Sequence, residues 1–491
     1  MKRFLSIILL TGLTLGVHAQ RVLSLDSCRA LALENNKELR IAKEKINAAH
    51  YQNKAAFSNY LPKIDVAGTY MRTQKEISLL SDEQKQTIGN LGTTASNQIQ
   101  QAFQQIAATN PGLAASLQPI AGIIGQLAPS FEGALNGVGQ SIVDAFRTDT
   151  RNMYAGAATL TQPIYMGGKI IAYNKITKYA EQLALSQHAT ETENLILNTD
   201  QAYWQVISLV NKKKLAESYL KLVKKLDSDL EKMIEEGVAT RADGLSVKVK
   251  VNEAEMTLTQ VDNGLNLSKM LLCQLCGLPL ESEIQLTDEN MENLTLPATY
   301  TESNVNTALS NREELKSLEL AQKIYQQKVN VVRSEFLPTI AFTANYLVTN
   351  PALYNGFENK FRGMWAAGVM VKIPVFHWGE GIYKVKAAKA EANIARYQLE
   401  DVKEKVELQV TQSSYKVNEA AKKLTMAQKN MEKAEENLRY ANLGFKEGVI
   451  PTSNVLEAQT AWLSAQSGKI DAQIDLKMSE IYLNKSMGTL K

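Results

Sequence analysis

The chain has 491 residues, of which 45% are apolar, and it carries a formal net charge of +3. This length suffices for two or three domains with buried cores. Because 54 basic residues nearly balance 51 acidic ones, the charge gives no electrostatic footprint for nucleic acid.

The first 19 residues have the order of a secretory signal. Two basic residues precede an apolar run from Phe4 to Val17, and small residues follow. This order predicts a signal peptide over residues 1–19, with cleavage after Ala19. Beyond it, no stretch reaches the roughly 18 consecutive apolar residues that a membrane-spanning helix requires. If this exported chain enters a membrane, we expect it to do so as strands.

Four stretches alternate between apolar and polar residues with the period of two that β-strands show. They lie at about 60–71, 152–165, 337–348 and 364–377. Each has roughly ten residues with aromatic residues near its ends, which is typical of strands in an outer-membrane barrel. A half-buried sheet in a soluble sandwich is the alternative. The polar positions that we expect to face a barrel lumen are Lys63, Asp65, Thr69, Thr339, Thr343, Asn345 and Lys372.

Four strands cannot close a pore, because the smallest membrane barrels have about eight. An open sheet edge in lipid is excluded, since each unpaired backbone group there costs several kcal/mol. The four strands therefore predict that several chains share one barrel.

An insertion of about residues 72–150 separates the first two strands, and it has no charged residue from Gln86 through Phe131. Strand topology predicts that it lies on the side opposite the helices, which would be extracellular. A disordered polar loop is one interpretation. Helical spacing in "SNQIQQAFQQIAA" and "SIVDAF" favours a partly helical cap or pore plug to a similar degree.

Proline ends or kinks helices, and it is absent from three long stretches of the chain. These stretches predict antiparallel helical hairpins at about 167–276 and 379–487. In the second hairpin, apolar residues recur every three and four positions from Val417 to Phe445, which is the pattern of helices that coil around one another. The turns "EEGVAT" and "KEGVIP" join the two helices of each hairpin.

The chain also repeats itself. The stretch "NYLPKIDVAGTY" returns 276 residues later as "EFLPTIAFTANY", and "EGVAT" returns 211 residues later as "EGVIP". The two offsets differ because only the first copy contains the insertion. We infer a tandem duplication, with a first repeat over 20–278, a linker over 279–302 and a second repeat over 303–491.

Three cysteines, Cys28, Cys273 and Cys276, are too few for a dense disulfide framework. The last two form a CxxC motif in an apolar helical end. Without a second such motif or a nearby histidine, packing is favoured over a redox or zinc role.

Features of enzymes are scarce in this sequence. His50, His188 and His377 show no metal-ligand spacing, and there is no glycine-rich phosphate loop or nucleophile motif. We therefore expect no catalysis, no cofactor and no metal site.

Several stretches together carry a resemblance to a known family. They are "LSLDSCRALALENNKELRIAKEKINAAHYQNKAAFSNYLPKI", "QPIYMGGKI", "PVFHWGEGI", the paired "EGV" turns and the closing "SMGTL". In these stretches the chain resembles the outer membrane efflux proteins, the TolC-like family. The resemblance implies a mainly α-helical homotrimer in which four membrane strands per chain complete a twelve-stranded β-barrel. A long coiled-coil barrel of helices would continue it into the periplasm.

The same resemblance implies partners and a mechanism. Such proteins are passive exit ducts in outer-membrane lipid, joined to a periplasmic adaptor and an inner-membrane transporter. They do no chemistry and take their energy from the partner. The resemblance makes the turns at Gly237, Val238, Gly448 and Val449 candidate docking sites for the adaptor. Chain reversal alone is the alternative role, because glycine suits the positive φ of such turns.

The segment "GVIPTSNVLEAQ" resembles the family's tip, where two acidic residues one helical turn apart narrow a periplasmic gate. Those positions hold Asn454 and Glu457 here, so only Glu457 would give a ring of carboxylates. Asp243 matches a tip position of the first repeat, and Arg241 beside it is a candidate partner for a carboxylate of the other hairpin. Helix capping is the alternative, as a capping box of Asn454 with Glu457 and as an N-cap at Asp243.

The leading hypothesis is an outer-membrane conduit for efflux or type I secretion, with its helical part in the periplasm. A periplasmic coiled-coil scaffold or adhesin with a soluble sheet is the alternative. Heptads fit both, whereas alternating strands with aromatic ends favour the barrel. Drug, metal and protein cargoes share the same kind of duct, so the sequence does not choose among them.

Overall fold

The computed structural model describes residues 21–74, 80–109, 111–147, 149–290, 304–352, 354 and 358–490. The proposed signal peptide and residues 291–303 of the linker region lie outside this range. The chain forms two compact units. The helical unit comprises the residues up to Ala56, from Ile171 to Val332 and from Ile382 onward, and the sheet unit comprises Phe57–Ile170 and Arg333–Gly381.

Helices dominate the described residues. The first repeat contains β1 (Arg21–Leu23), α1 (Leu25–Asn35), α2 (Lys37–Phe57), β2 (Lys63–Arg72), α3 (Asp82–Gly89), α4 (Leu91–Thr109), α5 (Pro111–Ala145), β3 (Asn152–Met166), α6 (Lys169–Glu235) and α7 (Arg241–Cys276). The remaining elements are β4 (Ile284–Leu286), α8 (Val305–Asn311), α9 (Glu313–Ser334), β5 (Thr339–Asn350), β6 (Arg362–Lys372), α10 (Glu380–Lys446) and α11 (Thr452–Ser486). None of the described helices is both long enough and apolar enough to cross a membrane.

The two long helices, α6 and α10, match in length. Each has 67 residues, which corresponds to an axis of about 100 Å. The apolar seam expected on α10 is buried: Val417, Leu424 and Met431 are at most 7% exposed. On α11 the buried positions include Val455 and Ala458, whereas Thr460 is exposed. That helix packs on both repeats and so buries a broader face.

The helical segment at the start of each repeat is broken into two helices. The break falls at Asn36 in the first copy and at Arg312 in the second, where both residues have extended backbones. Asn36 caps the helix that follows, since its Oδ1 accepts from the N–H of Glu38 at 2.8 Å. Arg312 instead donates to Gln409 at 2.8 Å. The helices are broken at equivalent positions by different side-chain contacts.

The linker contains an element that the sequence did not indicate. Strand β4 pairs in parallel with β1, with Val22 opposite Gln285. A three-residue strand is too short to show the alternation from which strands are recognised. Tyr203 of α6 donates to Asp288 just beyond β4 at 2.6 Å, and burial together with this bond raises the pKa of Tyr203. The described part of the linker is thus attached to α6.

The insertion is helical, as one of its two interpretations proposed. Helices α3, α4 and α5 pack on one another, and close contacts between them depend on small residues. A Cβ on Gly92 would lie 2.2 Å from the carbonyl oxygen of Glu132. Asn136 Oδ1 of α5 accepts from the N–H groups of Gly92 and Thr93, at 2.8 and 3.2 Å. It thereby supplies an acceptor for two N–H groups in the first turn of α4. These contacts define a specific helical bundle between β2 and β3.

Candidate functional site

The sheet unit contains four antiparallel strands in the order β2-β3-β5-β6. Their register aligns residues in rows that cross the sheet. One such row is Asp65, Thr159, Asn345 and Ala366. Because directly opposite residues project to the same face, these rows assign every strand residue to one of two faces.

One face is polar or small. All seven residues expected to face a lumen lie on it: Lys63, Asp65, Thr69, Thr339, Thr343, Asn345 and Lys372. Their neighbours on the same face are mostly alanine, threonine, methionine and glycine. The sequence alternation alone predicted this grouping.

The other face is apolar and aromatic, and it is exposed within the single chain. Val66 is 80% exposed and Trp365 is 75% exposed. Ile64, Tyr70 and Tyr346 on the same face are each more than half exposed. A soluble sheet would cover such a face, because exposed apolar patches of this kind mark contact with lipid or another protein.

Both edges of the sheet are open in the described part of the chain. Strand β2 pairs only with β3, and β6 pairs only with β5. Open edges present unpaired backbone donors and acceptors. Since neighbouring strands in the sheet are all antiparallel, β2 and β6 run in opposite directions, and β6 of one copy suits pairing with β2 of another.

Two helices of the helical unit also expose apolar stripes. On α7 the stripe includes Leu245, Val249, Met256 and Leu267, all more than half exposed. On α10 the exposed stripe comprises Tyr383, Tyr397, Leu408, Tyr415, Met426 and Tyr440. The spacings of 4, 7, 11 and 14 residues are each close to whole helical turns, so each stripe follows one face. On α10 this face lies opposite the buried seam. The heptad repeat in the sequence indicates only the buried seam, so this second stripe was not predicted.

The two hairpin turns have the same backbone geometry. Gly237 has a φ of +76° and Gly448 a φ of +71°. In each turn the valine N–H donates to a carbonyl five residues earlier, at 2.8 Å for Val238 and 2.9 Å for Val449. This is the Schellman ending of a helix, in which glycine supplies the left-handed residue. The valine side chains remain 69% and 78% exposed, so each turn presents an apolar tip.

The helices after the turns begin differently. Thr240 is the N-cap of α7, and its hydroxyl accepts from the N–H of Asp243 at 3.2 Å. The Asp243 carboxylate accepts from the N–H of Thr240 at 3.2 Å, which completes a capping box. The expectation that Asp243 is itself the N-cap is therefore wrong.

In the second turn the expected capping box of Asn454 and Glu457 is also wrong. Pro451 is the N-cap of α11, and no side chain caps this helix. Proline has no N–H for a side chain in the first turn to bind. Asn454 therefore forms no capping box with Pro451, whereas its counterpart Asp243 forms one with Thr240. Glu457 lies one turn further along and is exposed, beside Lys250 of α7 in an open crevice.

This difference predicts unequal effects of matched substitutions. Asp243→Ala removes the acceptor of a capping box and should lower the free energy of unfolding by about 1 kcal/mol. Asn454→Ala removes no capping contact and should change it by less than about 0.5 kcal/mol. Denaturant unfolding of the detergent-solubilised protein measures both. Equal losses would contradict the asymmetric caps.

Arg241 is exposed at the start of α7 and forms no ion pair with the described residues. No group of three or more metal-ligating side chains occurs in the described ranges. The CxxC cysteines have separate neighbours, because Cys273 Sγ lies 3.9 Å from the Ser282 carbonyl whereas Cys276 Sγ lies 3.6 Å from the Cys28 carbonyl.

Known proteins share this architecture. Residues 304–489 match the family model of outer membrane efflux proteins. The fold resembles the outer membrane protein VceC of Vibrio cholerae, with 15% identity and a TM-score of 0.69 over 94% of this chain and 96% of VceC. The outer membrane channel CmeC of Campylobacter jejuni matches with 16% identity and a TM-score of 0.69, over 95% of this chain and 85% of CmeC.

A third solved structure agrees with these two. The MtrE outer membrane channel of Neisseria gonorrhoeae matches with 16% identity and a TM-score of 0.67, over 95% of this chain and 89% of MtrE. No curated protein matches the chain in sequence. The chain thus has the fold of outer membrane channels. The resemblance to the TolC-like outer membrane efflux family is confirmed, with the family model covering the second repeat.

Proposed function

We propose that this protein is the outer-membrane exit duct of a tripartite efflux or type I secretion system. Three copies supply twelve strands to one barrel, and their helices continue it as a tunnel in the periplasm. A periplasmic adaptor and an inner-membrane transporter deliver the substrate, and the duct itself is passive. The number three, the two partners and the barrel come from the family resemblance.

The observation that carries the proposal is the two-faced sheet with two open edges. In lipid both edges must be paired, and four strands are too few to close on themselves. Pairing β6 of one chain with β2 of the next keeps every pair antiparallel. The face with Lys63 and Asp65 then lines the lumen, and the face with Val66 and Trp365 meets lipid.

The exposed helical stripes support the same assembly. Each copy carries one exposed apolar stripe on α7 and another on α10, with the named residues more than half exposed. Contact between α7 of one chain and α10 of the next would bury both stripes. Helices with two apolar faces suit a closed ring, in which every helix has a neighbour on each side.

The soluble scaffold or adhesin accounts poorly for the exposed sheet. Its apolar face would have to be covered by protein, yet Val66, Trp365 and Val369 are all more than half exposed. The apolar tips at Val238 and Val449 are consistent with docking of the adaptor's helical hairpin.

Native mass spectrometry tests the assembly directly. The protein is extracted with detergent from the outer-membrane fraction, and we expect the mass of a trimer of the processed chain. Recovery as a monomer, or mainly from the soluble periplasmic fraction, would overturn the duct.

A conductance measurement tests the proposed gate. Three copies of Glu457 around the axis would narrow the periplasmic entrance, and Asn454 one turn away adds no charge. Glu457→Ala should therefore give a severalfold higher single-channel conductance in planar bilayers. Glu391→Ala, which removes an exposed carboxylate from the other end of α10, is the control and should leave conductance unchanged. If both variants conducted as the unmodified protein does, Glu457 would not be part of the gate.

A further inference from the structure

A pair of cysteines distant in sequence meets in the core of the helical unit. Cys28 of α1 and Cys276 at the end of α7 are separated by 248 positions, and both are fully buried. Cys276 Sγ donates to the carbonyl oxygen of Cys28 at 3.6 Å, which places the two cysteines side by side. Cys273, the other cysteine of the CxxC motif, faces the carbonyl of Ser282 instead.

Two other contacts hold α1 in place, one to the end of α7 and one to α6. Gly277, with a φ of +70°, follows α7 directly, and a Cβ there would lie 2.4 Å from the Cβ of Asn35. The neighbour of Cys28, Arg29, binds both carboxylate oxygens of the buried Asp200, at 2.7 and 2.6 Å. The position of Cys28 against Cys276 is therefore fixed from both sides along α1.

Once the chain is folded, both sulfurs are shielded from solvent. The contact with Cys28 and burial raise the pKa of the Cys276 thiol, which keeps it protonated, and the thiolate is the reactive form. An oxidant in solution has no access to either sulfur. Any covalent bond between them must form while the chain folds, before α1 closes over the end of α7.

We propose that Cys28 and Cys276 are joined by a disulfide during export, which rests on the periplasmic location of the helical part given under the proposed function. The bacterial periplasm is oxidising, and disulfides form and persist there. The oxidant is the reactive disulfide of a periplasmic thiol oxidase. One cysteine thiolate attacks that disulfide to give a mixed disulfide. The second thiolate then displaces the oxidase, which leaves as a dithiol.

The exchange balances in electrons and protons. Two thiols of this chain lose two electrons and two protons, and the oxidase disulfide gains both. Its product ties the first helix of the mature chain to the end of the first hairpin. Cys273 stays a free thiol. Because the bond closes a very long loop, it restricts the unfolded chain and stabilises the folded one.

Thiol counting tests the proposal. Protein from the outer-membrane fraction is denatured in N-ethylmaleimide without reductant, and intact mass spectrometry counts the labels. We expect one label on the unmodified chain, two on Cys28→Ser, two on Cys276→Ser and none on Cys273→Ser. Peptide mapping should recover a linked pair containing Cys28 and Cys276. A reductant should lower the melting temperature of the unmodified chain and leave that of Cys28→Ser unchanged.

Two outcomes would overturn the proposal. Three labels on the unmodified chain would show that no disulfide forms. No label on Cys28→Ser would assign the bond to Cys273 and Cys276. The chain expressed without residues 1–19 is the reduced control and should carry three labels. Fractionation is scored separately, so a misplaced protein would contradict the duct, and the label pattern would still decide the disulfide.

Discussion

Replacing Val66 by arginine should keep the protein from assembling in the outer membrane. Val66 lies within β2 on the apolar face and is 80% exposed in the single chain. Arginine on the lipid face of a barrel costs about 2–4 kcal/mol near the bilayer midplane. In a barrel of three chains this cost arises three times. Heat-resistant trimers in outer-membrane extracts, detected by gel mobility, measure the effect.

The adjacent position supplies a matched control. Ala67 is also exposed in the single chain, but it projects to the polar face with Asp65 and Thr69. Ala67→Arg should therefore leave the amount of trimer unchanged and alter ion selectivity, because its charge would stand in the lumen. If the two variants assembled equally, the faces of the sheet would not be a lipid face and a lumen face.

Replacing Arg29 by methionine should destabilise the helical unit more than any surface change. Arg29 forms two hydrogen bonds to Asp200, whose side chain is fully buried. Removing one partner of a buried ion pair leaves an uncompensated charge and costs about 3–5 kcal/mol. Denaturant unfolding of the detergent-solubilised protein measures the loss.

Two further variants make this expectation specific. Asp26→Ala removes the weaker ion pair of Arg29, which is 3.8 Å long and whose carboxylate is 92% exposed. It should change the free energy of unfolding by less than about 0.5 kcal/mol. The double variant Arg29→Met with Asp200→Leu should recover part of the loss, because apolar replacement of a buried pair is often neutral. A double variant no better than Arg29→Met would attribute the effect to lost packing.

Much of the sheet was predictable because its information is local. Alternation placed Ile340 and Phe342 on one face and Thr339 and Thr343 on the other, and the register agrees. Strand ends were less accurate. The last strand was expected to reach residue 377, yet β6 ends at Lys372, directly opposite the first residue of β5. A strand ends where its partner ends, and a single stretch of sequence does not contain that information.

The hairpins were predictable for a related reason, since absence of proline and a regular apolar repeat describe one helix at a time. What each helix packs against is not local. The exposed stripe on α10 looks in sequence like scattered tyrosines. The pair of Arg29 and Asp200 joins residues 171 positions apart, and no pattern in the sequence links the two. The caps were predicted wrongly because the N-cap is the residue at which the backbone passes from the turn into the helix. That residue is Thr240 in the first hairpin and Pro451 in the second.

The equal length of α6 and α10 constrains how this chain can change. Removing one residue from either helix would turn everything beyond it by about 100° and shorten it by about 1.5 Å. The seam residues beyond the deletion would then leave their partners, and one tip would withdraw from the level of the other. A deletion of seven residues, made in both copies, would preserve both relations. The lengths of the two long helices must therefore change together and in steps of two turns.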